Sequence, residues 1–302
     1  MNKQQRGYTL IELMVSLLLG LMLISGFGSL FTQSQKNTTV QHSLSYMMAD
    51  GRYILEVFGR ELRRAGALKN KLVIGDGATS VFTSATNLFT TELGSTLGST
   101  LDFSPGDYIK GEYNASGFGT TADQPYNINR LAFRYQLFND NELAANGFGS
   151  NNSPCEKDIL LTAGETPATE KHVVTLYFYV ALDASSIPTL YCAAKRDNLT
   201  ADSSFTSAPE PLISNVQKLA ISYGMDTDAD NAANYYVTAS GVTDWQQVVS
   251  VKLSVVLRSD DNNLTKIFTT YTIDGATGSP FTATDKRMYR VSSTTIAFRN
   301  RI

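Results

Sequence analysis

Hydrophobic and polar positions follow three different rules along this chain. From Leu13 to Phe31 no charged residue occurs, and Leu, Met, Ile, Val and Phe dominate. From Val40 onward the apolar positions Val40, Leu44, Met47, Gly51, Ile54, Phe58, Leu62 and Ala65 recur at spacings of three and four, one face of an amphipathic helix. Basic residues Arg63 and Arg64 followed by Gly66 are fitting signals for its end. No proline precedes Pro105, so one uninterrupted helix is predicted from Tyr8 to Ala65. Beyond Gly66 the period changes to two. Leu131, Phe133, Tyr135 and Leu137 alternate with polar or small residues, as do Val249, Val251, Leu253, Val255 and Leu257. Val173–Leu182 is a nearly continuous apolar run, and Lys266–Ile273 and Tyr289–Phe298 complete the predicted strands, with Asp260–Asn263 as a turn. The region 75–129, rich in Gly, Ser, Thr and Asn, reads as loops with short strands. A helix followed by strands implies an α+β fold, with an antiparallel sheet packed on the second half of the helix.

The uncharged stretch would cover about 28 Å as a helix, close to a bilayer core. Lys3 and Arg6 precede it and, by the positive-inside rule, place everything after Phe31 outside the inner membrane. Three readings compete for this segment. An ordinary secretory signal would be cut near Ser25, Gly26, Gly28 or Ser29. A plain anchor would be kept whole. Neither accounts for Glu12, an acid at the start of the apolar run, where burial in lipid costs up to about 2.5–3.5 kcal/mol at a helix centre and less near an end.

The residues Gly7-Tyr8-Thr9-Leu10-Ile11-Glu12-Leu13-Met14-Val15 resemble the class III prepilin signal of type IV pilins and type II secretion pseudopilins. The resemblance implies cleavage by a membrane peptidase between Gly7 and Tyr8, then N-methylation of Tyr8. Phe is the usual first residue; Tyr8 keeps the aromatic ring. The new amine and Glu12 would lie one helical turn apart, with the acid at the favourable end of the helix dipole. In the family, this acid pairs with the amine of a neighbouring subunit, so Glu12 is the implied assembly contact. Many major pilins have proline at the position of Ser29.

Three later blocks resemble the PilW family of minor pilins: Glu61-Leu62-Arg63-Arg64-Ala65-Gly66; Tyr223-Gly224-Met225-Asp226-Thr227-Asp228-Ala229-Asp230 with Trp245 and Val248-Val249-Ser250-Val251; and Thr294-Thr295-Ile296-Ala297-Phe298-Arg299-Asn300-Arg301. The chain then divides into a leader (1–7), a transmembrane helical segment (8–31), the amphipathic continuation of the helix (32–66) and a periplasmic β-rich domain (67–302). The resemblance implies a pilin-like fold, residence in the inner membrane and then at the pilus tip, and a role in priming assembly. Implied partners are other minor pilins, the major pilin, the prepilin peptidase, the inner-membrane assembly platform and a candidate tip adhesin. The rival within this class is a large minor pseudopilin of a type II secretion system. The rival outside it is a periplasmic adhesin or enzyme with an ordinary signal.

Composition sharpens this. Among 302 residues there are two His and two Cys, and the net charge is −3. A His-rich or four-cysteine zinc site is excluded by count, and nothing electrostatic favours nucleic acid. The basic residues Lys286, Arg287, Arg290, Arg299 and Arg301 read as a solvated strand face. No P-loop, GxSxG, HExxH or Rossmann fingerprint occurs, and His42 and His172 have no third partner for Cys chemistry, so no enzyme and no cofactor are expected. Outside the inner membrane, Cys155 and Cys192 read as a disulfide worth roughly 3–4 kcal/mol for the loop it closes; the alternative is two unpaired buried thiols. Asp226, Asp228 and Asp230 have the spacing of calcium-loop positions 1, 3 and 5, with Asn234 at position 9. Asn231 replaces the glycine at position 6 and Val237 the bidentate glutamate at position 12, so the favoured reading is an Asx-rich hairpin tip, with calcium the alternative.

Overall fold

The computed structural model describes residues 9–67, 103, 106–112, 129–136, 154–156, 172–198, 203–206, 208–273 and 280–299. The leader, the cleavage pair Gly7 and Tyr8, most of region 75–129 and Arg301 lie outside the described residues. Packing divides the chain into two bodies, one ending at Tyr46 and one starting at Met47.

The first body contains most of one helix, α1 (Leu10–Leu62), which continues into the second. α1 is long and apolar enough to cross a membrane. Its side chains from Leu10 to Phe31 are turned outward, with Ile24 70% and Phe27 69% exposed. Hydroxyl groups in this part are satisfied by the helix itself: Ser16 donates to Leu13 O at 2.9 Å and Ser29 to Gly26 O at 2.8 Å. That back-bonding lets small polar residues sit in an apolar helix without an unmet donor.

Among the described residues, the second body holds the end of α1 and twelve strands. They are β1 (Ile109–Glu112), β2 (Arg130–Gln136), β3 (His172–Leu182), β4 (Pro188–Asn198), β5 (Ser203–Thr206), β6 (Glu210–Ser214), β7 (Val216–Met225), β8 (Tyr235–Val237), β9 (Val248–Arg258), β10 (Thr270–Tyr271), β11 (Phe281–Thr282) and β12 (Tyr289–Ala297). All pairings are antiparallel. One sheet runs β1-β2-β3-β4-β5 with β6 also on β4, a second runs β12-β9-β7-β8, and β10-β11 form a small third. The expected α+β fold of a long helix on antiparallel sheet is therefore present, with its strands shared among three sheets.

Met47, Gly51, Ile54, Val57, Phe58 and Leu62 are the buried face of α1. Four of the predicted apolar positions, spaced from Ile54 to Ala65, end up at or below 1% exposure. The helix meets both large sheets. A Cβ added at Gly51 would lie 2.5 Å from Ser292 Oγ of β12 and 3.4 Å from Leu257 of β9, so glycine permits the close approach there. About two turns on, the Phe58 ring lies 4.6 Å from Phe178 of β3. The sheets are also tied to each other: Tyr108 donates its hydroxyl to Val248 O, and Asn129 Nδ2 donates to Leu219 O at 2.9 Å.

Two expectations need correction. The alternation of Leu131, Phe133 and Tyr135 with Ala132, Arg134 and Gln136 implies a polar face on β2, yet both its faces are covered. Its arginines are accommodated by ring and charge contacts, Arg134 lying 3.8 Å from the Phe103 ring centroid and Arg130 3.5 Å from Glu112. The predicted strand Lys266–Ile273 shrinks to Thr270–Tyr271. Ile267 and Phe268 face outward, and Thr265 turns the chain by donating to Ile267 O and to Lys286 O, so this stretch spends its hydrogen bonds on a loop.

Candidate functional site

Three places carry the polar chemistry singled out above or revealed by the fold. The first is Glu12. It lies in the first turn of α1, whose start is capped by Thr9: Glu12 N donates to Thr9 O at 3.1 Å and reaches Thr9 Oγ1 at 3.4 Å. Among the described residues no basic side chain forms an ion pair with its carboxylate. The acid stands on an exposed apolar helix surface, with exposed Ile11 and Leu13 beside it. Such a group requires a positive partner wherever its surroundings become apolar.

The second place is the hairpin between β7 and β8. Oxygens of Asp226, Asp228 and Asp230 lie within 4.8 Å of one another. Asp226 is buried, and its two oxygens accept from Ala229 N at 2.7 Å and Asn231 N at 3.0 Å. Asp230 accepts from Ala232 N at 2.7 Å, and Asn234 Oδ1 from Thr227 N at 2.7 Å. Ala229 and Asn231 have φ of 62° and 69°, so the carboxylates hold a tight left-handed turn. These backbone donors shape the turn, and each carboxylate oxygen they reach keeps a second lone pair. β7 and β8 pair from Tyr223 with Val237 to Met225 with Tyr235, making these aspartates the tip of a hairpin.

The third place had no sequence signal strong enough to assemble it. At the end of α1, Gly66 takes φ 72° and donates its N–H to Arg134 O of β2 at 2.9 Å, while Gln136 N donates to Ala67 O at 2.8 Å. The Glu61-Leu62-Arg63-Arg64-Ala65-Gly66 block thereby stitches the helix end to β2. Glu61, with no exposed surface, accepts from Arg60 Nε at 2.9 Å and Arg64 Nη1 at 3.2 Å. Arg64 also donates to Glu156 Oε1 at 2.9 Å and lies 3.9 Å from the Tyr135 ring centroid. Tyr135 donates its hydroxyl to the same Glu156 oxygen. Burial raises the Glu156 carboxyl above its ordinary range against the opposing pull of Arg64. Burial likewise pushes the Tyr135 hydroxyl well up, with the Glu156 charge adding to it. Glu156 belongs to a short 3-10 turn, Pro154–Glu156, whose Cys155 is disulfide-bonded to Cys192 of β4. The cysteine pair read from the sequence is therefore bonded; the Asn/Gly-rich loop 146–153 before it lies outside the described residues. The missed signal was a charge pattern: Glu61 and Arg64 at helical spacing on the face that also carries Phe58 and Leu62.

Comparison with known proteins adds two matches. Residues 2–28 match the prokaryotic N-terminal methylation motif. Residues 177–300, from β3 to just past β12 and including the hairpin tip and Trp245, match the family described as type IV pilus-assembly protein W. No curated protein matches the chain, and no solved structure does. This family is structural, and its signal together with the apolar helix fits anchoring in a membrane with the C-terminal domain beyond it. With the methylation motif at one end and the PilW match at the other, the two matches together support a type IV pilus minor pilin of the PilW family.

Proposed function

We propose that this pilin helps to prime type IV pilus assembly and sits at or near the pilus tip. In this reading it is made as a prepilin, cut between Gly7 and Tyr8, and methylated on Tyr8. It then joins other minor pilins to form the start on which the major pilin polymerises, with the prepilin peptidase and the inner-membrane assembly platform as its further partners. A tip adhesin is a candidate neighbour. The work is assembly rather than catalysis, and it needs no metal at the hairpin tip.

The observation that carries this reading is the state of Glu12: a single acid at the start of an outward-facing apolar helix, without an ion-pair partner among the described residues. Lateral packing of that helix would exclude water. The acid then sets axial register by meeting an ammonium group on a neighbouring subunit. The size of the body that begins at Met47 supports a terminal position, because a domain so large would have to repeat along a shaft without clashing.

Intact mass and N-terminal sequencing of the membrane-extracted protein test the processing. A start at a methylated Tyr8 is expected; a start near Ser29 ends the reading. Deletion tests the system: loss of twitching with secretion intact is expected, whereas loss of secretion with twitching intact assigns the chain to type II secretion instead.

A further inference from the structure

We propose that the Cys155–Cys192 disulfide is a redox-dependent latch that seats Glu156 on Arg64 and so fastens the end of α1 to the first sheet only after the chain has been oxidised. This inference does not depend on the priming or tip assignment; it concerns residues 60–67, 130–136, 154–156 and β4.

The geometry leads from one covalent bond to one helix end in short steps. Cys192 lies in the middle of β4, paired with Phe178 of β3, and both its side chain and that of Cys155 are buried. The disulfide fixes the Pro154–Glu156 turn against β4, and the turn also packs on β6. Glu156 is the residue next to the bonded cysteine. Its Oε1 accepts from Arg64 Nη1 at 2.9 Å and from the Tyr135 hydroxyl. Arg64 is in the turn that ends α1, and Tyr135 is in the strand to which that turn is stitched. One carboxylate thus joins the helix end and β2 from a third segment, and that segment is covalently held by the disulfide. Three groups face Glu156 from the elements packed on it: Arg64 and Glu61 from α1 and its terminal turn, and Tyr135 from β2.

Glu61, Glu156 and Tyr135 are buried and Arg64 is half-buried, so an interaction that loses one partner leaves the others poorly solvated. Before oxidation, the turn has no covalent tie to β4. Closing the latch needs a disulfide-bearing oxidant. One cysteine thiolate attacks a sulfur of the oxidant, giving a mixed disulfide and releasing the oxidant's other sulfur as a thiolate. The second cysteine thiolate then displaces the remaining oxidant sulfur. The oxidant leaves as a dithiol, having taken two electrons and two protons from the pair. In an exported chain this makes attachment of the helix end a consequence of reaching an oxidising compartment.

Amide hydrogen exchange on the detergent-solubilised full-length protein tests the latch. The reporting amides are Gly66, Ala67 and Gln136, with β9 as a remote control. Reduction by dithiothreitol should raise exchange at the reporting amides by about tenfold or more, with β9 unaltered. Glu156→Gln, in which the disulfide remains, should raise exchange at the same amides without affecting β9. A Cys155→Ser/Cys192→Ser protein should match the reduced wild type; if it does not fold, the reduced wild type and Glu156→Gln still decide the matter. Unchanged exchange at the reporting amides in either would overturn the latch. So would a rise spread equally over β9, which would make the disulfide a general staple.

Discussion

Glu12 and Glu61 stand on the same helix and face opposite situations. Glu12 begins α1 on an outward-facing apolar surface and forms no ion pair among the described residues. Glu61 ends it with no exposed surface and two arginines on its carboxylate. Around Glu12 the apolar residues form no stripe: they face outward on every side of the helix, as a span covered by lipid or by neighbouring helices would. Around Glu61 they form a face, because one side of the helix meets sheets and the other meets water. The lesson is that one continuous helix presents two kinds of surface, and that the acid in each half reports which one. Glu61 completes its interactions within the chain; in the proposed function Glu12 is left for assembly.

The widest expected separation comes from removing each acid. Glu12→Gln should abolish piliation, or cut it by at least about tenfold, while the melting temperature of the purified protein stays at the wild-type value. Glu61→Ala should do the reverse at the level of the domain, costing about 1–3 kcal/mol in urea unfolding because Arg60 and Arg64 lose a charged hydrogen-bond partner. A normal fibre count in the Glu12 variant, or a normal unfolding midpoint in the Glu61 variant, would break the contrast.

The aromatic rings give a cleaner version, read in stability alone. Phe58→Ala empties a fully buried site against Phe178 and should lower stability by about 3–5 kcal/mol. Phe31 is 64% exposed, so Phe31→Ala should leave the unfolding free energy of the domain unchanged within about 0.5 kcal/mol. Equal losses at the two positions would mean that the halves of α1 do not differ in the way proposed.

How legible this was in the sequence depended on the range of the interaction. The buried face of α1 follows from spacing alone, since Ile54, Phe58, Leu62 and Ala65 recur with the helical period and face one core. β9 and β12 were also readable, and their pairing from Tyr289 with Arg258 to Ala297 with Ser250 joins two segments whose periodicity was clear. β2 misled because Arg130 and Arg134 look like solvent-facing residues. They are covered by residues that arrive from elsewhere in the chain, Glu112 and Phe103 among them. Lys266–Ile273 misled because local composition favoured a strand, whereas side chains such as Asn262 Oδ1, which accepts from Lys286 N at 3.1 Å, make a loop. The Glu61–Arg64–Glu156–Tyr135 cluster was half legible. Its helical pair lies within one turn, but Glu156 is far along the chain and is brought in by a disulfide whose pairing, not its surroundings, could be read.

The smallest expected effect lies where α1 enters the second body. Asp50 is partly buried there, and burial raises its carboxyl above the usual 3.8, with the negative charge of Asp260 adding to the rise. Asp260 is itself held by Asn215 Nδ2, and the Arg258 side chain donates to Asn215 Oδ1 at 3.2 Å, so the acid beside Asp50 is fixed in place. The sign follows from proton binding. Between pH 3.8 and its raised folded value, Asp50 is ionised in the unfolded chain and still protonated in the folded one, so the folded state binds more protons and stability falls as pH rises through that window. Above it, the penalty is constant. Asp50→Asn removes the titration and the repulsion together. Its urea midpoint should match the wild type at pH 3.5, exceed it slightly at pH 7, and show a flatter dependence between them. A variant less stable than the wild type at pH 7 would show that Asp50 is a favourable contact in the folded domain, and that the entry of the helix, like its end, is held by charge.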